Sequence, residues 1–391
     1  MSKKGIFAIG ILLIALAAMA QYTFGLVGVG AHDLRLENTG RYISYAIDSS
    51  PSFHSSNSRS FFVTTRTGIR HVASSGDIRV NETFSLTRPH MVARGDVVAV
   101  GEEDGRVIRT FNANGSINVV PLDNPAQGFF VNANGVVSVI MASDSGYHIK
   151  AFDRYVSDEY FFRSNIQHRD NPMRFPIAVD VSENRQYVAI AHLNLYHQMV
   201  ASIDFFAADR SARFGTVDIF AGIHFPGEIL IAMRFVSDNQ MLVITDSQIT
   251  ILRIDGNALQ EEWSHPLYNR LDQLAFCVGG HFAYVSGTPV RPNCRYADPV
   301  GTVNIFNING LTGRFYLGLG RRATHLSMGH NAVIVGVDRY FHAVNARGVS
   351  LWHHSVQQDV RDMIFLDDTN TILIAGATRA EVWRRQRTRD E

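Results

Sequence analysis

Only two of the 391 residues are cysteine, Cys277 and Cys294, and no CxxC occurs. Two thiols cannot staple a chain of this length, and a zinc or thiol-redox module has no ligands. An excess of one charge is missing too, since 36 basic side chains face 36 acidic ones. Nucleic-acid-binding proteins carry a basic excess, so neutrality argues against that partner. Charged residues make up 18% of the chain, below the roughly 25% of soluble proteins. Lysine is confined to Lys3, Lys4 and Lys150, and every other base is arginine, which reads as GC-rich codon usage. No GxSxG, HExxH, H-x-H or D-x-D-x-D-G is present, so hydrolase-elbow, zincin and calcium-loop signatures are absent. Gly318-Leu319-Gly320 lacks the third glycine and the βαβ context of a nucleotide loop and reads as a turn.

What is present begins at the front. Residues 5–31 carry no charge and hold a dense apolar run, Ile6 to Leu16, prolonged by Leu26 and Val27. About 20 apolar residues span a bilayer. Lys3 and Lys4 precede the run and hold that flank in the cytoplasm. The expected layout is a cytoplasmic stretch 1–4, a signal-anchor helix 5–31 embedded in lipid, and a linker 32–40. A domain at 41–391 then faces out of a bacterial cell. A second reading stays open: Ala18-Met19-Ala20 has the form of a signal-peptidase site, and cleavage after Ala20 would release a secreted protein. The continued apolar character through Tyr22, Phe24 and Val29 resembles an uncleaved anchor more than a signal peptide.

From Tyr42 onward, short runs rich in Val, Ile and Phe alternate with turns of Gly, Asn, Asp and Ser. Period-2 alternation with closely spaced turn clusters indicates antiparallel strands. The runs fall into a repeated unit: an apolar entry strand, a second apolar strand, a short turn and a third strand. FFVTTRTGIRHV from Phe61, VVAVGEEDGRVIRTF from Val97, VVSVIMASDSGYHIKAF from Val136 and AVIVGVDRYFHAV from Ala332 show it best. Units open near 52, 89, 128, 174, 229, 271, 322 and 360. A period of about 40 to 50 residues with four strands per unit is the β-propeller signature. The expected class is therefore all-β, an eight-bladed propeller behind one N-terminal transmembrane helix. Seven blades is the alternative, should Phe53 to Ser60 form no inner strand. The last unit has three strands, and the strand 41–47 is expected to complete it and close the ring.

These strands resemble WD40-like and quinoprotein-like propellers. More narrowly, the chain is similar to an uncharacterised bacterial family of propellers behind one transmembrane helix. The likeness covers most of the chain. It is strongest over Phe61 to Gly115 and over Ile177 to Phe206, where VDVSENRQYVAIAHLNL matches a strand-turn-strand pattern. It implies architecture and carries no activity. No Trp-Asp ends the strands, and Trp263, Trp352 and Trp383 follow no blade-by-blade pattern, which counts against a quinone cofactor.

Candidate chemistry is thin. His192 and His197 are five apart, and His168, Arg169 and Asp170 precede Asn171-Pro172; structural roles are the plainer reading, and a top-face metal or substrate site using His168, His192 and His197 is the alternative. His353 and His354 are adjacent on a strand and point to opposite sides. Glu102-Glu103-Asp104 and Asp367-Asp368 sit in turns and could serve glycoside hydrolysis only if two carboxylates stood about 5 to 9 Å apart. Cys277 and Cys294 fall in one unit and would form a disulfide in an oxidising compartment. Long excursions, including 193–200, 222–227 and 288–299, carry Tyr196, Phe225, Arg291, Arg295 and Tyr296, residue types favoured at recognition hot spots. The leading expectation is a non-enzymatic scaffold binding an envelope protein or glycan, with no cofactor or metal. The alternative is a carbohydrate-active enzyme using loop carboxylates at the channel mouth. A propeller aiding outer-membrane assembly would carry a lipid-attachment Cys after the signal, and none occurs there.

Overall fold

The computed structural model describes residues 36–46, 49, 51–56, 59–154, 160–167, 173–196, 199–208, 219–277, 280–291, 294–318, 322–367 and 369–386. The expected anchor 5–31, Lys3, Lys4 and the cleavage point after Ala20 lie outside these residues. Among the described residues no helix is long and apolar enough to cross a membrane.

The chain folds into eight four-stranded antiparallel sheets. Their inner strands open at Ser52, Pro89, Ala126, Arg174, Leu230, Asn269, His325 and Asp362. The seven-bladed alternative fails at its own test region: Ser52–Ser56 is an inner strand, paired with Ser60–Thr65 from Ser52↔Thr64 to Ser56↔Ser60. Burial explains the sequence pattern. Second strands lie between two neighbouring blades, so both their faces are covered and they read as continuous apolar runs. Ser60–Thr65 and Ala332–Val337 are buried at every position. Outer strands are mostly solvated, as in Ile78–Thr83.

Eight hydrophobic clusters hold the disc together, each shared by two blades. Phe62 and Ile69 of blade 1 meet Val98, Val100 and Phe111 of blade 2. Phe162 of blade 3 meets Phe206 of blade 4 edge to face at 5.3 Å. Phe282 and Phe306 of blade 6 stack at 5.0 Å against Ile249 and Ile251 of blade 5. One blade cannot cover both its faces, so the ring must close.

Closure uses both ends of the chain. The N-terminal strand Leu36–Ser44 pairs antiparallel with Arg379–Arg385, from Leu36↔Arg385 to Ser44↔Arg379, and forms the outer strand of blade 8. This corrects the expected bounds: the strand starts at Leu36 and stops at Ser44, so 36–40 is sheet and 45–46 is not. The cause is a bulge between Asn38 and Arg41. Gly40 sits there at φ 75°, its N–H bonded to the Asn38 side chain at 2.8 Å, and Thr39 donates to the Val382 carbonyl at 2.7 Å. A bulge breaks the period-2 pattern and hides the start of the strand. Leu36, Ile43 and Tyr45 face inward, into the clusters on either side of blade 8.

Tight turns fix the register. At Gly68 and Gly146, each opening the third strand of its blade, φ is +137° and +144°. A Cβ there would lie 2.0 Å from the Glu82 carbonyl oxygen and 1.9 Å from that of Ile166. Only glycine allows that approach.

Antiparallel order sorts the connections onto two sides of the disc. Turns from first to second and from third to outer strands lie on one side, called lower here. Connections from second to third strands and from one blade to the next lie on the upper side. The closing strand enters at Leu36 on the lower side and leaves toward Ser52 on the upper.

Ile43→Ala should cost about 2–4 kcal/mol by opening a cavity where blades 8 and 1 meet. Tyr42→Ala, one residue along and 58% exposed, should stay within about 0.5 kcal/mol. Urea midpoints at unchanged slope measure both, and equal shifts would contradict closure by the inward face of this strand.

Candidate functional site

The upper side of blades 4 to 6 carries a concentration of exposed apolar side chains. Blade 6 contributes the longest connection there, Val290 to Gly301, between Phe282–Pro289 and Thr302–Asn307. Buried polar groups pin it to the blade. The Asn269 amide donates to the Gly287 and Asp298 carbonyls at 2.8 and 2.9 Å and accepts the Asp298 N–H at 2.8 Å. The Asp298 carboxylate accepts from Ser286 at 3.1 Å and from Asn304 at 3.0 Å. The loop is thereby a fixed platform. On it Tyr296, 64% exposed, faces Tyr268 at 5.6 Å, and the Arg295 guanidinium lies 5.2 Å over the Tyr296 ring.

Blades 4 and 5 continue the surface. Leu195 and Tyr196 are exposed in the connection after Tyr187–Asn194. An Asx turn shapes it, with the Tyr196 N–H on the Asn194 side chain at 2.9 Å. Leu195 bonds through its N–H to the Met173 carbonyl at 3.0 Å, which joins it to exposed Met173. Ile177 and Ile231 are exposed toward the upper ends of neighbouring inner strands, three and four residues above the Asp180–Phe235 contact. Ile229, on the upper side of blade 5, is exposed as well, its carbonyl accepting the Asp246 N–H at 3.0 Å. An exposed apolar arc with aromatic and arginine anchors is the composition of a recognition surface.

The expected loop residues divide. Tyr196, Arg291, Arg295 and Tyr296 share the upper side, on blades 4 and 6, with blade 5 between; Arg295 and Tyr296 touch. Phe225 does not join them. It lies within the outer strand Ile219–Pro226, is 4% exposed and packs in the core between blades 4 and 5. The supposed excursion 222–227 is ladder, with Phe225 opposite Ala201. Met173, Ile229, Ile231 and Tyr268 escaped the sequence reading, because short apolar connections look like ordinary strand ends.

The two cysteines stand at opposite sides of blade 6. Cys277 lies in the lower turn after Asn269–Phe276, its N–H on the His281 carbonyl at 2.8 Å. Cys294 lies in the upper loop. The intervening strand, Phe282–Pro289, spans about 25 Å at ~3.3 Å per residue, and a disulfide needs Cα atoms within about 7 Å. The expected bridge does not fit this geometry.

The histidines and acids are structural in position. His192 is 2% exposed, 3.3 Å from Asp204, which also pairs with Arg174, so three strands of blade 4 share one network. Burial opposes charge on Asp204, but His192 and Arg174 outweigh it and hold the carboxyl below its ordinary value. His168, Arg169, Asp170 and His197 fall outside the described residues. His354 packs on Trp383 at 5.0 Å while His353 faces His342 at 6.2 Å. Glu102 accepts the N–H groups of Thr87 and Arg88 on the upper side. Asp367 caps the turn at Thr369, Asn370 and Thr371 on the lower side. The two acidic turns therefore point away from each other, and Asp368 is not among the described residues. Among those residues no three His, Cys, Asp or Glu side chains converge as a metal site.

A closed ring of eight four-stranded blades, sealed by its own N-terminal strand, makes this a β-propeller protein. The chain belongs to a family of unknown function, DUF5711, whose model matches residues 45–384. Among solved structures it is similar to the C-terminal WD40 domain of Sif2, at 12% identity and TM-score 0.54, over 88% of this chain and 99% of that one. It also matches BamB from Moraxella catarrhalis, at 13% identity and TM-score 0.49, over 91% of this chain and 100% of that one. At 12% identity the likeness to the Sif2 domain is one of fold. No curated protein matches the sequence.

Two outcomes are expected from these contacts. Asn269→Ala strands the Asp298 N–H and two carbonyls and should cost about 1–3 kcal/mol. Trypsin should then cut at Arg291 or Arg295 many times faster than in the wild type, read by limited proteolysis. Separately, burial holds His54, His71, His192, His265, His281, His342 and His354 below the ordinary 6.5. The unfolded chain then binds more protons just below pH 6.5, so this stability is complete above 6.5 and is lost as pH falls. The thermal midpoint should be level from pH 8 to 7 and drop steadily toward pH 5; a flat profile would contradict it.

Proposed function

We propose that the protein is a membrane-anchored, extracytoplasmic scaffold of the bacterial envelope that binds an envelope protein or glycan through the upper arc of blades 4 to 6. The observation that carries this reading is the opposition of two sides. The chain enters the ring at Leu36 on the lower side, and the exposed apolar arc lies on the upper. Residues 32–35 alone separate the apolar segment 5–31 from the first strand, a reach of at most about 14 Å. With 5–31 as a signal anchor and 1–4 in the cytoplasm, the lower side lies near the bilayer and the arc faces away from it. Release after Ala20 would give the same disc without its tether. The paired-carboxylate enzyme draws no support, since its two acidic turns lie on opposite sides of the disc.

A photo-crosslinking side chain at Tyr196 or at Tyr296, in cells with a native envelope, should trap the same adduct. One at Ile78, exposed on the outer strand of blade 1 near its lower end, should trap none. Adding Tyr268→Ala to the Tyr196 probe should cut the yield about tenfold, the scale of a hot-spot loss. Equal adducts from Ile78, or none from the arc, would sink the scaffold reading.

A further inference from the structure

Beneath the arc, the inner strands of blades 2, 4 and 5 cross the channel with a tight ionic knot. Arg94 ends its strand and holds Asp180 by two hydrogen bonds, at 2.9 and 3.0 Å. It also donates to the Phe235 carbonyl. Asp180 is saturated, because it further accepts the Phe235 N–H at 2.5 Å and the Val181 N–H at 3.0 Å. Both side chains are buried, and blade 3 is bypassed.

Arg234 is a second guanidinium at the same place. Its pKa is lowered to about 10, first by burial and then by the Arg94 cation. The salt bridges place no carboxylate of the described residues in ion-pair contact with it. None of its N–H groups finds an acceptor among those residues, and its one close partner is the Phe276 ring at 5.4 Å. Asp180 and Glu183 both favour its charged form, and Glu183 lines a small pocket with Arg94 and Arg234, yet the Asp180 oxygens are already used and neither carboxylate accepts from Arg234. Arg234 itself is half-buried, so its donors are open to a ligand.

The spare donors face space. A cavity of about 150 Å³ opens above the knot, floored by Arg94, Asp180 and Arg234. Its walls are Val92, Phe130, Val179 and Met233, with Ala178 between them. Guanidinium donors with no protein acceptor call for an anion that can accept them. Apolar walls call for an apolar body behind it. A bare inorganic anion would satisfy the floor and leave the walls wet.

We propose that this cavity binds a monocarboxylate with a short apolar tail, its carboxylate on Arg234 and its tail against Val92, Phe130 and Met233. A free short-chain acid and the C-terminal carboxylate of a polypeptide ending in an apolar residue share this chemistry.

Calorimetric titration of the full chain in detergent tests it. Affinity should rise about fourfold per methylene from acetate through propionate to butyrate, the value of a buried methylene. Arg234→Met, which keeps length and removes charge, should abolish butyrate binding. Ala178→Leu, which keeps the arginine and fills the cavity, should weaken it at least tenfold and serves if the first variant does not fold. A peptide ending Ala-Val with a free terminus, compared with its amide, identifies the source. Binding of the free form alone assigns a polypeptide terminus, and butyrate binding with both peptides excluded assigns a small acid. Equal binding of acetate and butyrate, tighter binding of inorganic phosphate, or unchanged binding by Arg234→Met would overturn the proposal.

Discussion

The pairing of Leu36–Ser44 with Arg379–Arg385 is the contact on which the rest of the disc depends. Seven interfaces between blades join neighbours in sequence and form from units a few tens of residues apart. The eighth joins residues more than 300 apart, and without it blade 8 would expose the edge of its third strand and the ring would keep two open faces. An open edge is an aggregation template. The closing strand also sets polarity. Because it runs from lower to upper, whatever precedes Leu36 must approach from the lower side, and the loops of blades 4 to 6 are left on the other.

The same geometry makes the channel a poor place for spare charge and a good place for rigidity. Inner strands are short and their side chains converge, so polar groups there must pair across the axis. Arg94 and Asp180 do so over blade 3, and His325 bonds the Met363 carbonyl at 2.8 Å between blades 7 and 8. The sole lysine of the propeller follows the rule on its surface. Lys150 lies 4.6 Å over the Tyr160 ring and pairs with Asp123 at 2.5 Å, holding that carboxyl below its usual range. Arg234 departs from it.

Architecture was legible because burial on both faces leaves an uninterrupted apolar run in each second strand, and every blade repeats it. FFVTT, VVAVG and AVIVGV announce the same environment three times over. What escaped was whatever depends on the third dimension without a local mark. The bulge at Asn38 to Arg41 erased the alternation that would have shown where the closing strand starts. Phe225 looked like a loop aromatic because glycines flank it, yet Gly222 and Gly227 bracket ordinary ladder. Cys277 and Cys294 are 17 residues apart in sequence and a full strand apart in space. Arg94, Asp180 and Phe235 come from three units, and no spacing announces that they meet.

The arc and the channel site answer different physical needs, and this decides how each would use a partner. The arc is broad and rests on a loop pinned by Asn269, Ser286 and Asn304. A partner there gains from a surface that loses little conformational freedom on binding, so affinity follows from the aromatic anchors. The channel site is small and charged, and its floor is held by Asp180 in a fixed position. Its selectivity comes from the Arg234 donors and cavity size. A rigid disc can serve both because neither requires the blades to move: the ring that closes at Leu36 has already immobilised the strands from which both are built.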